Sequence, residues 1–284
     1  MQKKIAYILD AREKHITPEE KVLQPLPHKD FRFANPFIVV HHLGPENIPA
    51  GSELRLHPHP HRGFAPVTFM LQGEGYHKDN AGHDAIVKAG DVQWMFAGKG
   101  ILHSEGPSAD FLQHGGVYEL IQLWINVPRK YKLTEPFYQS AAKDQLPKIK
   151  PEEGVEFRLA SGQYENVEGP FKSFTPITMM IGEAENCAQI QLNAKAHYWT
   201  LIYVVKGKVL INCETVNAHQ LIVFEKENDE LFFSMSGGTQ ILFLSAEPIE
   251  EPVAAKDNFV MNTPEEISRA IEDYKNGGFG TLSF

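Results

Sequence analysis

Val67-Thr68-Phe69-Met70-Leu71-Gln72-Gly73-Glu74-Gly75 is a run of strand-forming residues, a glycine where the backbone can turn, and the start of a second strand. The same pattern returns in Trp199-Thr200-Leu201-Ile202-Tyr203-Val204-Val205-Lys206-Gly207-Lys208-Val209-Leu210-Ile211. Two copies of one strand, turn and strand unit point to an internal duplication, two barrels of the same kind fused in tandem. Outward from the first copy, the short apolar runs Asp84 to Val87, Val92 to Phe96 and Gly116 to Val127 are separated by Ala89-Gly90-Asp91 and Gly98-Lys99-Gly100. Segments of this length and spacing predict an all-β sandwich or barrel. From Pro128 to about Pro151 Lys, Pro and Glu are enriched without sustained periodicity. That stretch reads as a linker and divides the chain into domains 1–135 and 136–284.

One helix is expected, at about 264–276. Thr263 can cap it, Pro264 takes the first helical position, and Glu266 completes a Thr-x-x-Glu box. Ile267, Ala270, Ile271 and Tyr274 form an apolar stripe at helical spacing, and Gly277-Gly278 ends it.

Composition excludes several classes of function. The 284 residues are 42% hydrophobic and 22% charged, and no stretch reaches the ~18 apolar residues of a membrane span. The amino-terminal apolar segment around Ile5 to Leu9 is too short for a secretory signal. With only Cys187 and Cys213, a disulfide framework is not expected and a cytoplasmic location is. Both cysteines read as small buried apolar residues. A net charge of −9 without any cluster of basic residues argues against direct nucleic-acid binding. A monomer is expected, because two fused barrels can cover each other.

The chemistry is concentrated in His57-Pro58-His59-Pro60-His61-Arg62-Gly63 and in His103-Ser104-Glu105. Side chains two apart on a strand share a face, so His59 with His61, and His103 with Glu105, can each offer two ligands to one ion. Three imidazoles and a carboxylate suit a first-row transition metal better than calcium or magnesium. On alternation alone the four are equally readable as surface polar residues, and a register that uses His57 with His59 is also open.

The segments His59-Pro60-His61-Arg62-Gly63-Phe64, Gly90-Asp91-Val92-Gln93-Trp94-Met95 and Gly98-Lys99-Gly100-Ile101-Leu102-His103-Ser104-Glu105 resemble the pirin family, two-domain proteins of the cupin superfamily. So do Asn35-Pro36-Phe37, His42-Leu43-Gly44-Pro45, Gln122-Leu123-Trp124-Ile125-Asn126 and Phe259-Val260-Met261-Asn262-Thr263, and the resemblance spans nearly the whole chain. It implies two jelly-roll barrels with one divalent metal in the first and none in the second. Iron(II) is the expected ion, with manganese, nickel, copper and zinc as alternatives. The family's ligands fall on His59, His61, His103 and Glu105. The chain departs from the family in carrying Ala65-Pro66 where Glu-Thr is common, and in the additional His57.

Around these ligands, Arg62 reads either as a substrate anchor or as the partner of a carboxylate that positions the strand. Trp94, Met95 and Phe96 read as core or as pocket wall, with core the favoured reading, and His197 lacks the companion histidine that a second site would need. Four protein ligands on an octahedral ion leave two adjacent positions, enough for a substrate oxygen and dioxygen. The resemblance supplies a reaction, quercetin 2,3-dioxygenation, which opens a flavonol ring and releases carbon monoxide. Glu105 would then serve as both ligand and base for the 3-hydroxyl proton. The alternative that the family implies is a metal-dependent regulator acting through a protein partner, as a transcriptional or metabolic coregulator or a redox sensor.

Overall fold

A computed structural model describes residues 1–16, 20–53 and 57–283 of the chain. Strands dominate, and the two α-helices among the described residues are Ala109–His114 and Pro264–Lys275. The second matches the capping signal: Thr263 accepts from the Glu266 amide, Glu266 reaches back to the cap, and Pro264 opens the helix. No helix of the described residues is long and apolar enough to cross a membrane.

The chain forms two compact units, and each is discontinuous in sequence. One comprises residues 37–143 with 249–284, the other residues 1–36 with 144–248. The boundary between the continuous parts falls at 143/144 instead of 135/136, and both terminal segments change sides. The stretch read as a linker is also structured. Phe137–Ala141 adds to the edge strand Val92–Phe96, with Tyr138 opposite Met95. Lys148–Ile149 pairs with Val155–Ser161 in the other unit. Edge strands need only backbone pairing and one apolar face, so their sequences carry little local signal.

In the 37–143 unit, one sheet runs in the order Phe137–Ala141, Val92–Phe96, Phe64–Gln72, Gly116–Asn126, Phe37–Ile48. The other runs His59–His61, Ile101–Pro107, Glu74–Asp79, Asp84–Lys88. The second unit repeats the plan. Its smaller sheet runs Ala188–Asn193, Glu230–Met235, Lys208–Ile211, Glu214–Asn217. In its larger sheet Ile5–Asp10, from the amino terminus, takes the edge beside Gln220–Phe224, the place that Phe137–Ala141 takes in the first. This is the tandem barrel plan expected from the repeated strand and turn unit, and the jelly-roll type is the one that the resemblance implies.

The two interiors differ. Where the first barrel sets His59 opposite His103, the corresponding strands of the second set Ile190 opposite Phe233 and Leu192 opposite Leu231. These belong to a hydrocarbon core with Phe157, Ile202, Val204, Ile222 and Phe243. Burying such side chains contributes about 2 kcal/mol each. Trp94, Met95 and Phe96 are buried core residues of the first barrel, as read. Cys187 and Cys213 are exposed instead of buried. Cys213, with φ of 65°, sits in the tight turn between Lys208–Ile211 and Glu214–Asn217, and Cys187 lies just before the strand Ala188–Asn193.

Residues 249–284 close the first barrel. Ile267, Ala270 and Phe279 pack with Phe259, Met261 and Leu102, and the Val260 amide donates to the Arg62 carbonyl at 3.1 Å. Gly63 lies at this crossing with φ of +84°, and a Cβ there would run into the Val260 carbonyl oxygen. Gly63→Ala should therefore lower stability by about 3 kcal/mol. Gly238→Ala, also at positive φ (+75°) but with nothing within 4 Å, should cost only about 1 kcal/mol. Denaturant midpoints of the two variants check the difference.

Candidate metal centre

The histidines meet because strand alternation and antiparallel register agree. His59 pairs directly with His103, and His61 pairs with Ile101. His59, His61 and His103 then face one side of the small sheet, and their ligand atoms lie within 4.8 Å of one another. Ring centroids are 4.9 Å apart for His59 and His61, 4.3 Å for His59 and His103, and 4.7 Å for His61 and His103. His61 and His103 are buried, and His59 is half-buried.

Three imidazoles this close, two of them buried, are costly without a shared purpose, and their bonding shows one. His59 Nδ1 lies 3.0 Å from the His57 carbonyl and His61 Nδ1 lies 3.3 Å from the Asn258 carbonyl. An N–H donated at Nδ1 leaves Nε2 as a bare lone pair, the arrangement of a metal ligand with its outer partner in place. Both ring nitrogens of His103 are buried without a hydrogen-bond partner, and an ion would take one of them. Burial, and after it the neighbouring His59, hold His61 and His103 well below the ordinary histidine pKa. Both are neutral at pH 7, the form that a metal requires. The cluster fits a transition-metal ion.

The structure brings together three of the four residues read from the sequence. Glu105 shares its strand face with His103, but its carboxylate is not among the atoms within 4.8 Å. Its Oε1 accepts from Gln122 Nε2 at 2.7 Å, and Gln122 Oε1 accepts from Trp124 Nε1 at 3.2 Å. His57 is exposed, and its part in the site is the carbonyl beneath His59. Arg62 is the partner of a carboxylate. It donates to Asp273 Oδ2 at 2.6 Å and to the Lys99 carbonyl at 2.5 Å, and it lies 4.6 Å over the Phe279 ring. His197 is in an exposed turn.

The wall opposite the histidines comes from the large sheet. Trp124 packs against Phe64 at 4.5 Å and edge-on to His61 at 5.8 Å. His59, Glu105, Gln122 and Trp124 are half-buried, so solvent reaches this side of the cluster. Pro66 lies on the same face, opposite Trp124, and Ala65 is buried on the other.

Sequence reading missed a second group beside the ligands, His77, Asp79, His83 and Tyr138. His77 and Asp79 alternate inward on Glu74–Asp79, opposite Glu105 and His103. The spacing His77-x-Asp79 was visible in the sequence, but Tyr138 lies in the stretch taken for a linker. Burial alone would raise the Asp79 pKa, but hydrogen bonds from His77 and His83 outweigh it and hold it below the ordinary carboxylate value.

Comparison with known proteins agrees with this architecture. The Pirin family model matches residues 17–125, and the model of the Pirin C-terminal cupin domain matches residues 179–280. Pirin-1 of Arabidopsis thaliana is 36% identical over 228 residues, covering 78% of this chain and 77% of the relative. A crystal structure of quercetin 2,3-dioxygenase from Acinetobacter baumannii superposes with a TM-score of 0.92 at 32% identity, covering 100% of both chains. The bacterial pirin YhhW of Escherichia coli, solved in complex with nickel(II), shares the fold with a TM-score of 0.67 at 20% identity, covering 86% of this chain and 99% of that one.

Proposed function

The chain belongs to the pirin family of two-domain cupins, and from that premise we propose that it is a metal-dependent dioxygenase acting on a flavonol-like aromatic substrate. The observation that carries this reading is the cluster of three mutually adjacent imidazoles beside a half-buried carboxylate and an aromatic wall. His59, His61 and His103 would hold the ion, and Glu105 would be the fourth ligand. Iron(II) is the proposed ion, and the nickel(II) bound by the E. coli relative belongs to the same group of first-row metals. When bound, the ion supplies Lewis acidity and electron exchange with dioxygen at the positions that the protein leaves open.

The chain's own residues do the rest. Glu105 accepts the proton of the substrate's 3-hydroxyl group. Gln122 holds one carboxylate oxygen, so the other is left to take that proton. Trp124, backed by the buried Phe64, gives a flat ring an apolar face to lie against. The setting proposed with this reading is a reducing cytoplasm, in keeping with two exposed, unpaired cysteines.

Protein loaded anaerobically with Fe(II) and then given quercetin and oxygen should lose the flavonol absorbance and release carbon monoxide. Persistence of the flavonol with iron, manganese, nickel, copper and cobalt alike would overturn the proposal.

A further inference from the structure

Two of the three histidines have an outer partner and the third lacks one. The Nδ1 atoms of His59 and His61 rest on carbonyl oxygens, but neither nitrogen of His103 has a partner. A metal takes one of them. The other still carries a hydrogen in the buried interior, which is unfavourable if it stays unpaired.

A second orphan stands beside it. His77 is fully buried, its Nδ1 has no hydrogen-bond partner, and its ring centroid is 5.4 Å from that of His103. The other contacts of His77 decide what Nδ1 can do. Its Nε2 lies 3.0 Å from Asp79 Oδ2. Asp79 also accepts from the Ala81 amide at 2.9 Å, from the His83 amide at 3.0 Å, and from His83 Nδ1 at 2.9 Å. A carboxylate facing this many donors has no proton to give, so the hydrogen in the His77 to Asp79 bond sits on His77 Nε2. In the neutral ring Nδ1 is then a bare acceptor. Tyr138 stacks on His77 at 4.6 Å and on His83 at 5.3 Å, and its hydroxyl donates to Gln93 Oε1 at 2.9 Å, so the pair is clamped in place.

We infer that His77 is a positioning residue for the metal centre: its Nδ1 accepts, through one water, the hydrogen of the His103 nitrogen that faces away from the ion, and Asp79 orients His77 for the task. The inference rests on the three-histidine metal site proposed above. Donors and acceptors then alternate without conflict from His103 through His77 to the Asp79 carboxylate. The chain fixes the tautomer and ring orientation of His103 and makes it a more basic ligand. Asp79→Asn disturbs this by donor count alone. The two backbone amides keep the carboxamide oxygen, so its NH2 turns to His77 Nε2, forces the hydrogen onto Nδ1, and sets a donor against a donor.

Co(II) is the probe, with affinity measured by chelator competition and coordination read from the visible spectrum of the Co(II) protein. Asp79→Asn and His77→Leu should bind Co(II) about 10 to 100 times more weakly than wild type, with a shifted spectrum and an apo melting temperature that keeps Asp79→Asn folded. His77→Gln, whose amide oxygen can accept the same hydrogen, should recover part of the loss. Unchanged affinity and spectrum in Asp79→Asn overturn the inference even if His77→Leu does not fold. His61→Ala and His103→Ala separate the two readings. If they abolish Co(II) binding while the Asp79 and His77 variants leave it untouched, the outer partner is wrong and the metal site stands. If they too bind Co(II) as wild type does, the metal site itself is wrong.

Discussion

His103→Ala should leave purification with almost no transition metal, against about one ion per chain in wild type. Of the three imidazoles, His103 is the one whose two nitrogens both lack a protein partner, so it loses most when the ion is absent and gives most when it is present. It also lies nearest to His59, at 4.3 Å between centroids. Removing it leaves His59 and His61, which share one short strand, and the proposed ligand Glu105 to hold the ion, with water in the vacated place. The loss has a thermodynamic reading as well. A ligand that binds only the folded state at a hundredfold excess over its Kd adds about 2.7 kcal/mol. Wild type should therefore melt higher when Fe(II) or Ni(II) is added, and the variant should not. His57→Ala, which keeps the backbone carbonyl beneath His59, should retain its metal. Elemental analysis and melting curves of the three proteins check these expectations, and a metal-replete His103→Ala would sink the ligand assignment.

Lys132→Met should destabilise the first barrel by about 3 kcal/mol and change how stability depends on pH. Lys132 is buried, and its Nζ donates to the Gly63 carbonyl at 2.7 Å, Asn126 Oδ1 at 2.5 Å and the Val260 carbonyl at 3.0 Å. One side chain thus ties the loop after the ligand strand to the strand Gly116–Asn126 and to the carboxy-terminal segment. Methionine fills the volume and leaves three oxygens without a donor.

The titration follows from the burial. Desolvation lowers the Lys132 pKa to about 7, against the attraction of Glu251 and Glu266. In the unfolded chain the same group titrates near ~10.4. Below pH 7 both states are protonated, and the folded state bears the whole cost of a buried charge. Between the two values the unfolded state binds more protons, so stability rises with pH, with a slope that approaches about 1.4 kcal/mol per pH unit. Denaturant midpoints between pH 7.5 and pH 9.5 should climb in wild type and stay flatter in Lys132→Met. Parallel slopes would show that Lys132 does not titrate there.

Part of this was legible in the sequence, for local reasons. Val67 to Gly75 and Trp199 to Ile211 combine strand formers with a turn glycine, and Thr263, Pro264 and Glu266 write a helix start into four residues. His59 with His61, and His103 with Glu105, follow from alternation, which is a property of a single strand. The parts that were not legible depend on distant partners. Nothing in Ile5 to Asp10 says that it will complete a sheet with Gln220–Phe224, and nothing in Phe137–Ala141 names Val92–Phe96. The pairing of Arg62 with Asp273 spans 211 positions. The role of His77 is set by the strand across from it, and its own sequence neighbours say little. Cys213 looked like a core residue by composition, and the turn geometry at Asn212 and Cys213 placed it outside.

The crossing of the terminal segments gives the metal centre a place in time. Asn258, which holds His61, and Asp273, which holds Arg62, are translated long after the ligands they support. A nascent chain halted after the second barrel carries every proposed ligand but has neither the carbonyl for His61 nor the covering helix. On the ribosome, the support of the ligand strand is complete only once residues 258 to 273 have emerged and can reach His61 and Arg62.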